Sequence, residues 1–180
     1  MGQGRALVRN LSAKKRVLNL FSYTCSFSVA ALAGEAKTVV NLDMNRGALE
    51  LGRLNHQINQ LDLRQVSFLP LEFFRSVNKL KRLGPFDLVI CDPPAYQGKS
   101  FKAERDWPKL LRKLADFLAP GGDLIACLNG PHLPPEFLQD LVSKIRPELV
   151  LQQKLQPGED FPEAEASRGV WTFHYKDESG

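Results

Sequence analysis

The segment from Asp87 to Tyr96 constrains the fold of this chain more than any other. The run from Phe86 to Ile90, apolar except for Asp87, is typical of a short strand buried on both faces of a parallel sheet. Two consecutive prolines, Pro93 and Pro94, then end strand pairing and hold the backbone extended. Ligands of open α/β sheets bind outside the carboxyl ends of the strands. We therefore expect Asp92 to lie at a ligand-binding edge.

Strand-like and helix-like patterns alternate along the rest of the chain, without repeats or low-complexity linkers. Five strand–helix units are followed by two strands with no helix between them, which favours antiparallel pairing. We predict a doubly wound α/β fold with a seven-stranded Rossmann-like sheet, mostly parallel, that ends in an antiparallel hairpin. The predicted strands are 17–21, 38–42, 65–68, 87–91, 123–128, 149–155 and 170–175, the predicted helices are 5–10, 24–33, 45–59, 71–83, 104–118 and 136–145, and a turn is predicted at 119–122.

The length and composition indicate one globular domain over residues 1–180, with a basic helical lead-in at 1–16. No run approaches the ~20 apolar residues that span a bilayer, so we expect no membrane partner. Cys25, Cys91 and Cys127 are an odd count, each in or beside a predicted core element. They suit reduced thiols better than a disulfide framework or a zinc site, which predicts a cytoplasmic protein without a metal.

Positive charge is concentrated in one half of the chain, although the net charge is only +4. Residues 75–113 carry ten Lys and Arg against four Asp and Glu, and this range includes the loop after the buried strand. Such a distribution favours a polyanionic partner such as RNA. Solvated helix faces that carry Lys and Arg for solubility are the alternative interpretation of part of this charge.

The order Asp-Pro-Pro-Ala-Tyr at 92–96, directly after a buried strand, resembles motif IV of class I S-adenosylmethionine-dependent methyltransferases, especially those that act on nucleobases. The segment 17–175 resembles the catalytic domain of bacterial 23S ribosomal RNA methyltransferases, a group with cytosine-5 enzymes and a guanine-N7 domain. The resemblance implies S-adenosylmethionine as cofactor and methylation of a ribosomal RNA base as function. Members of this group usually carry an upstream RNA-binding module. The chain is therefore expected either to be a fragment of a longer protein or to bind RNA through its basic surface alone.

The first predicted strand and its turn, Asn-Leu-Phe-Ser-Tyr-Thr, resemble a glycine-poor motif I. No glycine occurs between Val17 and Ala33, which argues against the Gly-x-Gly-x-x-Gly loop of NAD or FAD sites. Asp43 ends the second strand, where a carboxylate either accepts the ribose hydroxyls of a nucleoside or caps the next helix. The cofactor-binding residues that the resemblance implies are Asn19, Phe21, Ser22, Tyr23, Thr24, Asp43, Met44, Glu72 and Asp92.

The candidate catalytic residues are Asp92, Pro93, Tyr96 and Asn129. A nitrogen nucleophile needs acceptors for its N–H groups and a stacking surface for its ring, whereas cytosine C5 first needs attack by a cysteine thiolate. The cytosine-5 members of the group carry that cysteine just after the fifth strand, and counting from Gly121 places Asn129 there. The guanine-N7 domain has asparagines in this turn. A base nitrogen is therefore favoured as the methylated atom.

A basic loop follows motif IV, and its candidate RNA-binding residues are Lys99, Lys102 and Arg105, with Phe101 as a surface on which a base stacks. An exposed lead-in to the next helix is the simpler interpretation of this loop. Two other functions stay open: a methyltransferase that acts on a small molecule or a protein, and a methyltransferase-like domain that only binds RNA. The oligomeric state is left open.

Overall fold

The computed structural model of the chain describes residues 2–130, 132–156 and 170–179. The six helices in these ranges are α1 (Gln3–Leu11), α2 (Ser26–Ala33), α3 (Arg46–Ile58), α4 (Phe73–Leu83), α5 (Ala103–Lys113) and α6 (Pro135–Ile145). The nine strands among the described residues are β1 (Arg16–Leu20), β2 (Thr38–Asp43), β3 (Val66–Pro70), β4 (Phe86–Cys91), β5 (Tyr96–Gln97), β6 (Phe101–Lys102), β7 (Leu118–Leu128), β8 (Leu149–Leu155) and β9 (Trp171–Asp177). Single 3-10 turns lie at Leu63–Gln65 and Leu114–Asp116.

Seven strands form one sheet in the order β3-β2-β1-β4-β7-β9-β8. The pairs among β3, β2, β1, β4 and β7 are parallel, and β9 runs antiparallel to both of its neighbours. The predicted fold class is therefore confirmed, including the antiparallel ending. The polar segment between the last two strands lies mostly at 157–169, outside the described residues.

Helices cover both faces of the sheet because successive strand residues point to opposite sides. In β1, Leu18 and Leu20 contribute to the core formed with α4, α5 and α6, whereas Val17 contributes to the core formed with α1 and α2. Val8 of α1 is fully buried in the second core. The predicted basic lead-in is therefore an integral layer of the domain rather than an appended arm.

The register brings the carboxyl ends of the central strands level with one another. Leu20 at the end of β1 pairs with Leu42 in β2 and with Cys91 in β4. The residues that follow these positions are Phe21, Asp43 and Asp92, so they meet at one edge of the sheet.

The structure differs from the prediction around β7. A helix through Leu118 is wrong: α5 ends at Lys113, and Leu118 pairs with Phe86 at the start of β7. The next registered pair joins Leu88 to Asp123, so residues 119–122 form an irregularity inside β7 instead of a turn before it. Within the described ranges, no helix is both long and apolar enough to cross a lipid bilayer.

Candidate active site

A cleft of about 520 Å³ opens at the carboxyl edge of the sheet, where β1, β2 and β4 end. This volume lies within the range of about 300–1,000 Å³ that small-molecule sites occupy. The residues that line it are Phe21, Tyr23, Asp43, Asn45, Asp92, Pro94, Ala95, Tyr96, Gln97 and Asn129. Six of the predicted site residues therefore share one cleft with Asn45 and Gln97, which were not predicted as site residues.

Asp43 is a buried carboxylate that the surrounding backbone holds in place. Its Oδ2 accepts a hydrogen bond from the Tyr23 backbone N–H at 2.9 Å, and its Oδ1 accepts one from the Asn45 N–H at 2.8 Å. Each oxygen retains a lone pair because a carboxylate oxygen accepts two hydrogen bonds. Asp43 therefore suits a pair of ribose hydroxyls at the cleft, as expected from its place at the end of β2.

The loop after β1 reaches the cleft through an unusual backbone. Phe21, Tyr23 and Cys25 have φ angles of 57°, 45° and 64°, in the left-handed region that favours glycine. The ring of Tyr23 is 65% exposed, whereas Ser22 is buried, and its hydroxyl has no hydrogen-bond partner among the described residues. A buried hydroxyl without a partner fits a polar ligand group next to this loop.

Helix α3 braces the same loop from behind. The Asn55 side-chain amide donates a hydrogen bond to the Thr24 carbonyl at 3.0 Å. Gly52 lies so close that a Cβ built on it would be 2.5 Å from the Cys25 sulfur. Neither residue was predicted as part of the site, because nothing in the local sequence shows which face of α3 meets the loop.

Asn19 is placed away from the cleft, which corrects its predicted cofactor-binding role. It is 1% exposed, and its amide donates to Asn41 in a buried chain of hydrogen bonds that continues to Ser28 and His56. Burial lowers the pKa of His56, which favours its neutral form. This chain of polar groups connects β1 and β2 to α2 and α3.

Asp92 and Asn129 form the centre of the cleft on the β4 and β7 side. The Asn129 side-chain amide donates to Asp92 Oδ1 and to the Pro93 carbonyl, both at 2.8 Å. Burial raises the pKa of the Asp92 carboxyl, and the hydrogen bond from Asn129 opposes this effect. Tyr96 is 68% exposed at the rim. The predicted group around Asp92 is therefore assembled in one place.

All three cysteines are buried, and none lines the cleft. Burial raises the pKa of Cys25 to about 12, and it also raises the pKa of Cys91 and of Cys127 well above the ordinary value of a thiol. Cys127 lies in the strand, with its sulfur 3.8 Å from the Thr172 hydroxyl. Because the thiolate is the nucleophilic form, none of the three is prepared to attack a base.

A second cavity of about 660 Å³, which we call the basic pocket, lies beside the cleft. It is lined by Met44, Glu72, Phe74, Arg75, Lys99, Ser100, Arg105, Asp106 and Lys109. Both carboxylate oxygens of Glu72 accept backbone N–H groups of α4, so this residue caps the helix as well as lining the pocket.

The hairpin of β5 and β6 separates the cleft from the basic pocket. Phe101 is fully buried in it, with its ring centroid 5.2 Å from that of Phe21, so the predicted stacking of an RNA base on Phe101 is wrong. Lys102 is exposed but is not among the residues that line either cavity. In the part of the chain that the structure describes, no group of three or more His, Cys, Asp or Glu side chains is arranged to hold a metal ion.

Arg75, Asp106 and Lys109 are site residues that sequence reasoning missed. Arg75 lies in the first turn of α4, five residues after β3 ends at Pro70, and that position alone indicates the same edge of the sheet. Asp106 and Lys109 stand three residues apart on α5, a spacing that predicts their ion pair but not the burial of Asp106.

A model of the S-adenosylmethionine-dependent methyltransferase family matches residues 1–176 of the chain. Ribosomal RNA large subunit methyltransferase I from Serratia proteamaculans (strain 568) is 33% identical over 143 residues, which are 77% of this chain and 36% of that protein. The protein of the same name from Yersinia pestis bv. Antiqua (strain Angola) gives the same identity and coverage. The chain thus spans 36% of the length of these relatives.

Solved structures share the fold. A protein assigned as a methyltransferase and crystallised with S-adenosylhomocysteine superposes with a TM-score of 0.87 at 27% identity, over 97% of this chain and 48% of that one. An S-adenosylmethionine-dependent methyltransferase from Agrobacterium tumefaciens superposes at 0.73 over 98% of this chain and 60% of that one, with 16% identity. The resemblance, the fold class and the cofactor expected for it are confirmed. This chain belongs to the S-adenosylmethionine-dependent methyltransferase family.

Proposed function

We propose that the chain transfers a methyl group from S-adenosylmethionine to a nitrogen of a ribosomal RNA base. The observation that carries this proposal is the Asn129 amide, which fixes the Asp92 carboxylate and the Pro93 carbonyl at the cleft that also holds Asp43. The relatives named ribosomal RNA large subunit methyltransferase I support ribosomal RNA as the substrate.

The cofactor supplies an electrophilic methyl group, and the chain supplies the surfaces that hold it. Asp43 accepts the ribose hydroxyls, and the buried Ser22 hydroxyl lies in the loop that receives the methionine part. Phe21, Tyr23 and Thr24 complete that loop. Met44 and Glu72 follow β2 and β3 and border the position of the adenine.

The substrate base lies on the Asp92 side of the cleft. Asp92 and the Pro93 carbonyl accept N–H groups of the base, and the exposed Tyr96 ring offers a stacking surface for a base moved out of its stack. These contacts align a nitrogen with the methyl carbon, and such alignment lowers the barrier of an in-line displacement. Lys99 and Arg105 supply contacts to the RNA backbone. Lys102 lies on the exposed end of the hairpin and supplies a contact farther from the cleft.

A nitrogen is favoured over cytosine C5 because Asn129 stands where the cytosine-5 mechanism needs a thiolate. The cysteines of this chain are buried with raised pKa values. The methylated product discriminates the two: nuclease digestion of labelled large-subunit RNA should release a base methylated at nitrogen, whereas 5-methylcytosine would contradict the assignment.

Cofactor binding is measured by isothermal titration with S-adenosylhomocysteine. Asp43→Ala should lower the affinity by about 100-fold or more, since charge-assisted hydrogen bonds contribute about 1.5–3 kcal/mol each. Thermal melting of the variant controls for folding. If the wild-type protein is folded but does not bind S-adenosylhomocysteine, only the RNA-binding function remains. If Asp43→Ala binds as tightly as the wild type, the cofactor does not contact Asp43.

Methyl transfer is measured with labelled S-adenosylmethionine and unmodified large-subunit RNA. Asp92→Ala should keep the affinity for S-adenosylhomocysteine and lose about 100-fold or more of the transfer rate, because the positioned acceptor acts on the base. Parallel loss of binding and transfer would contradict this division of roles. Label in a protein or a small molecule, with none in RNA, would overturn the substrate.

A further inference from the structure

The basic pocket collects positive charge from three separate elements. Arg75 comes from the first turn of α4, Lys99 from the hairpin between β5 and β6, and Arg105 and Lys109 from α5. Within the described ranges, neither Arg75 nor Lys99 forms an ion pair with another side chain. The pocket therefore has an excess of positive charge next to the proposed cofactor site.

Asp106 fixes two of these cations side by side. It is 1% exposed, and it accepts hydrogen bonds from Arg105 Nη2 at 2.6 Å, from Lys109 Nζ at 3.0 Å and from the Lys102 backbone N–H at 2.9 Å. Burial alone would raise the pKa of Asp106, but these hydrogen bonds outweigh it and lower the pKa to about 2. Both cationic side chains stay about half exposed, and their remaining N–H groups are available to a ligand.

Such an arrangement is suited to phosphate. Arginine donates to phosphate in a fixed fork, and cations that are already held in place lose little conformational entropy on binding. Met44 and Glu72 line this pocket and also a narrow space that reaches Asp43 and Gln97 of the cleft. The β5–β6 hairpin carries Tyr96 and Gln97 at the cleft and Lys99 and Ser100 at the basic pocket, so the pocket also adjoins the side of the cleft proposed for the base.

We propose that the basic pocket binds backbone phosphates of the RNA strand that carries the target base. This inference rests on the proposed function and extends it from the base to the neighbouring nucleotides. Arg75 and Lys109 thereby join Lys99 and Arg105 as phosphate ligands, and Asp106 acts as a positioning residue.

The test compares two double variants with the same change of charge. Arg75→Gln/Lys99→Gln lies in the pocket and disturbs no ion pair. Lys14→Gln/Lys37→Gln is the matched control, because these two lysines line a cavity at the opposite, amino edge of the sheet. Affinity for a short oligouridine RNA is measured by fluorescence anisotropy over a series of salt concentrations.

The pocket variant should bind the RNA about tenfold or more weakly than the wild type. Its plot of log K against log salt should be less steep by about 1.4, since each of the two lost phosphate contacts to a single strand contributes about 0.7 to the steepness. The control variant should keep the wild-type slope. Both variants should bind S-adenosylhomocysteine with the affinity of the wild type. Inorganic phosphate should compete only weakly with the RNA for binding to the protein.

An unchanged slope in the pocket variant overturns the inference, and so does a loss of S-adenosylhomocysteine affinity in place of RNA affinity. Strong competition by inorganic phosphate would assign the pocket to a single free phosphate and also overturn it. If the wild-type protein methylates ribosomal RNA while the pocket variant keeps the wild-type slope, the inference about the pocket fails but the proposed function stands. Wild-type protein that does not bind RNA overturns both.

Discussion

Three residues of the loop after β1, which we propose holds the cofactor, adopt a backbone conformation that is usual for glycine although none of them is glycine. A left-handed conformation costs a residue other than glycine about 1 kcal/mol or more, and Phe21, Tyr23 and Cys25 all adopt it. Hydrogen bonds hold the loop there: the Tyr23 N–H donates to Asp43, and the Thr24 carbonyl accepts from Asn55. The loop can therefore hold a glycine-like conformation at a ligand site although it contains no glycine.

Gly52→Ala should disturb this loop through α3. The added methyl group would lie 2.5 Å from the Cys25 sulfur, and overpacking of this kind costs about 1–3 kcal/mol. We expect a lower free energy of unfolding and at least tenfold weaker binding of S-adenosylhomocysteine, measured by denaturant titration and by calorimetry.

Two further variants control this experiment. Gly47→Ala lies on the same helix, where the new Cβ meets only Asn45 Oδ1 at 3.5 Å, and it should leave binding unchanged. Cys25→Gly combined with Gly52→Ala removes the clash and should restore binding. If Gly52→Ala alone binds and unfolds like the wild type, the bracing by α3 is refuted.

The raised pKa of Asp92 predicts a pH dependence of methyl transfer. Because burial raises this pKa, the carboxyl takes up its proton at a higher pH than an ordinary aspartate near 3.9. A reaction that needs the carboxylate as acceptor therefore loses rate as the pH falls through this raised value. Asp92→Asn retains an acceptor oxygen without titrating, so its residual kcat/KM should lack the acidic decline. The same decline in both proteins would exclude Asp92 as its source.

At the scale of elements, Asp123 joins three parts of the fold at the amino edge of the sheet. From β7 it contacts Lys15 before β1 at 2.7 Å, and His174 and Lys176 of β9 at 2.8 and 3.2 Å. Burial alone would raise the pKa of Asp123, but hydrogen bonds from His174 and Lys15 outweigh it and lower the pKa well below its usual value.

Asp123→Asn should therefore destabilise the protein at neutral pH by about 1.5–3 kcal/mol, the contribution expected of a hydrogen bond to a charged group. A lowered carboxyl pKa stabilises the fold above the unfolded value near 3.9, and this contribution disappears as the pH falls below it. The Tm of the wild type should thus fall more steeply below about pH 4 than that of the variant.

Asp116→Asn is the matched control for Asp123→Asn. Asp116 forms long, partly exposed ion pairs of 3.7 and 3.9 Å with Lys81 and Lys113, and pairs of this kind contribute about 1 kcal/mol or less. Its loss should scarcely change the Tm at any pH. Equal Tm profiles of the Asp123 variant and the wild type would contradict the role given to this cluster.

The main strands were predictable because their apolar runs are local. The α5 boundary was not: Leu118 continues the helical spacing of Leu110, Leu111 and Leu114, but its pairing with Phe86 decides its structure. The two-residue strands β5 and β6 are too short for a periodic signal.

The same limit applies to the site. Asp43 and Asp92 were predictable because each directly follows a strand. Asn19 and Phe101 were misplaced because their burial depends on Asn41 and Phe21, respectively, which are distant from them in sequence. Local patterns therefore locate the edge that carries the chemistry, but not which side chains face it.

On the scale of the whole molecule, one edge of the sheet carries the cleft and the basic pocket in sequence. The loop after β1 and Asp43 form the proposed cofactor end, and Asp92 and Asn129 form the base end. The basic pocket adjoins the cofactor end at Met44 and the base end through the β5–β6 hairpin. This order makes the placement of the cofactor the claim from which the other roles derive.

A crystal structure of the chain with S-adenosylhomocysteine tests that claim most directly. We expect both ribose hydroxyls to lie within hydrogen-bonding distance of the Asp43 carboxylate and the sulfur to lie on the Asp92 and Asn129 side of the cleft. Ligand density in another part of the molecule, or a ribose turned away from Asp43, would contradict it.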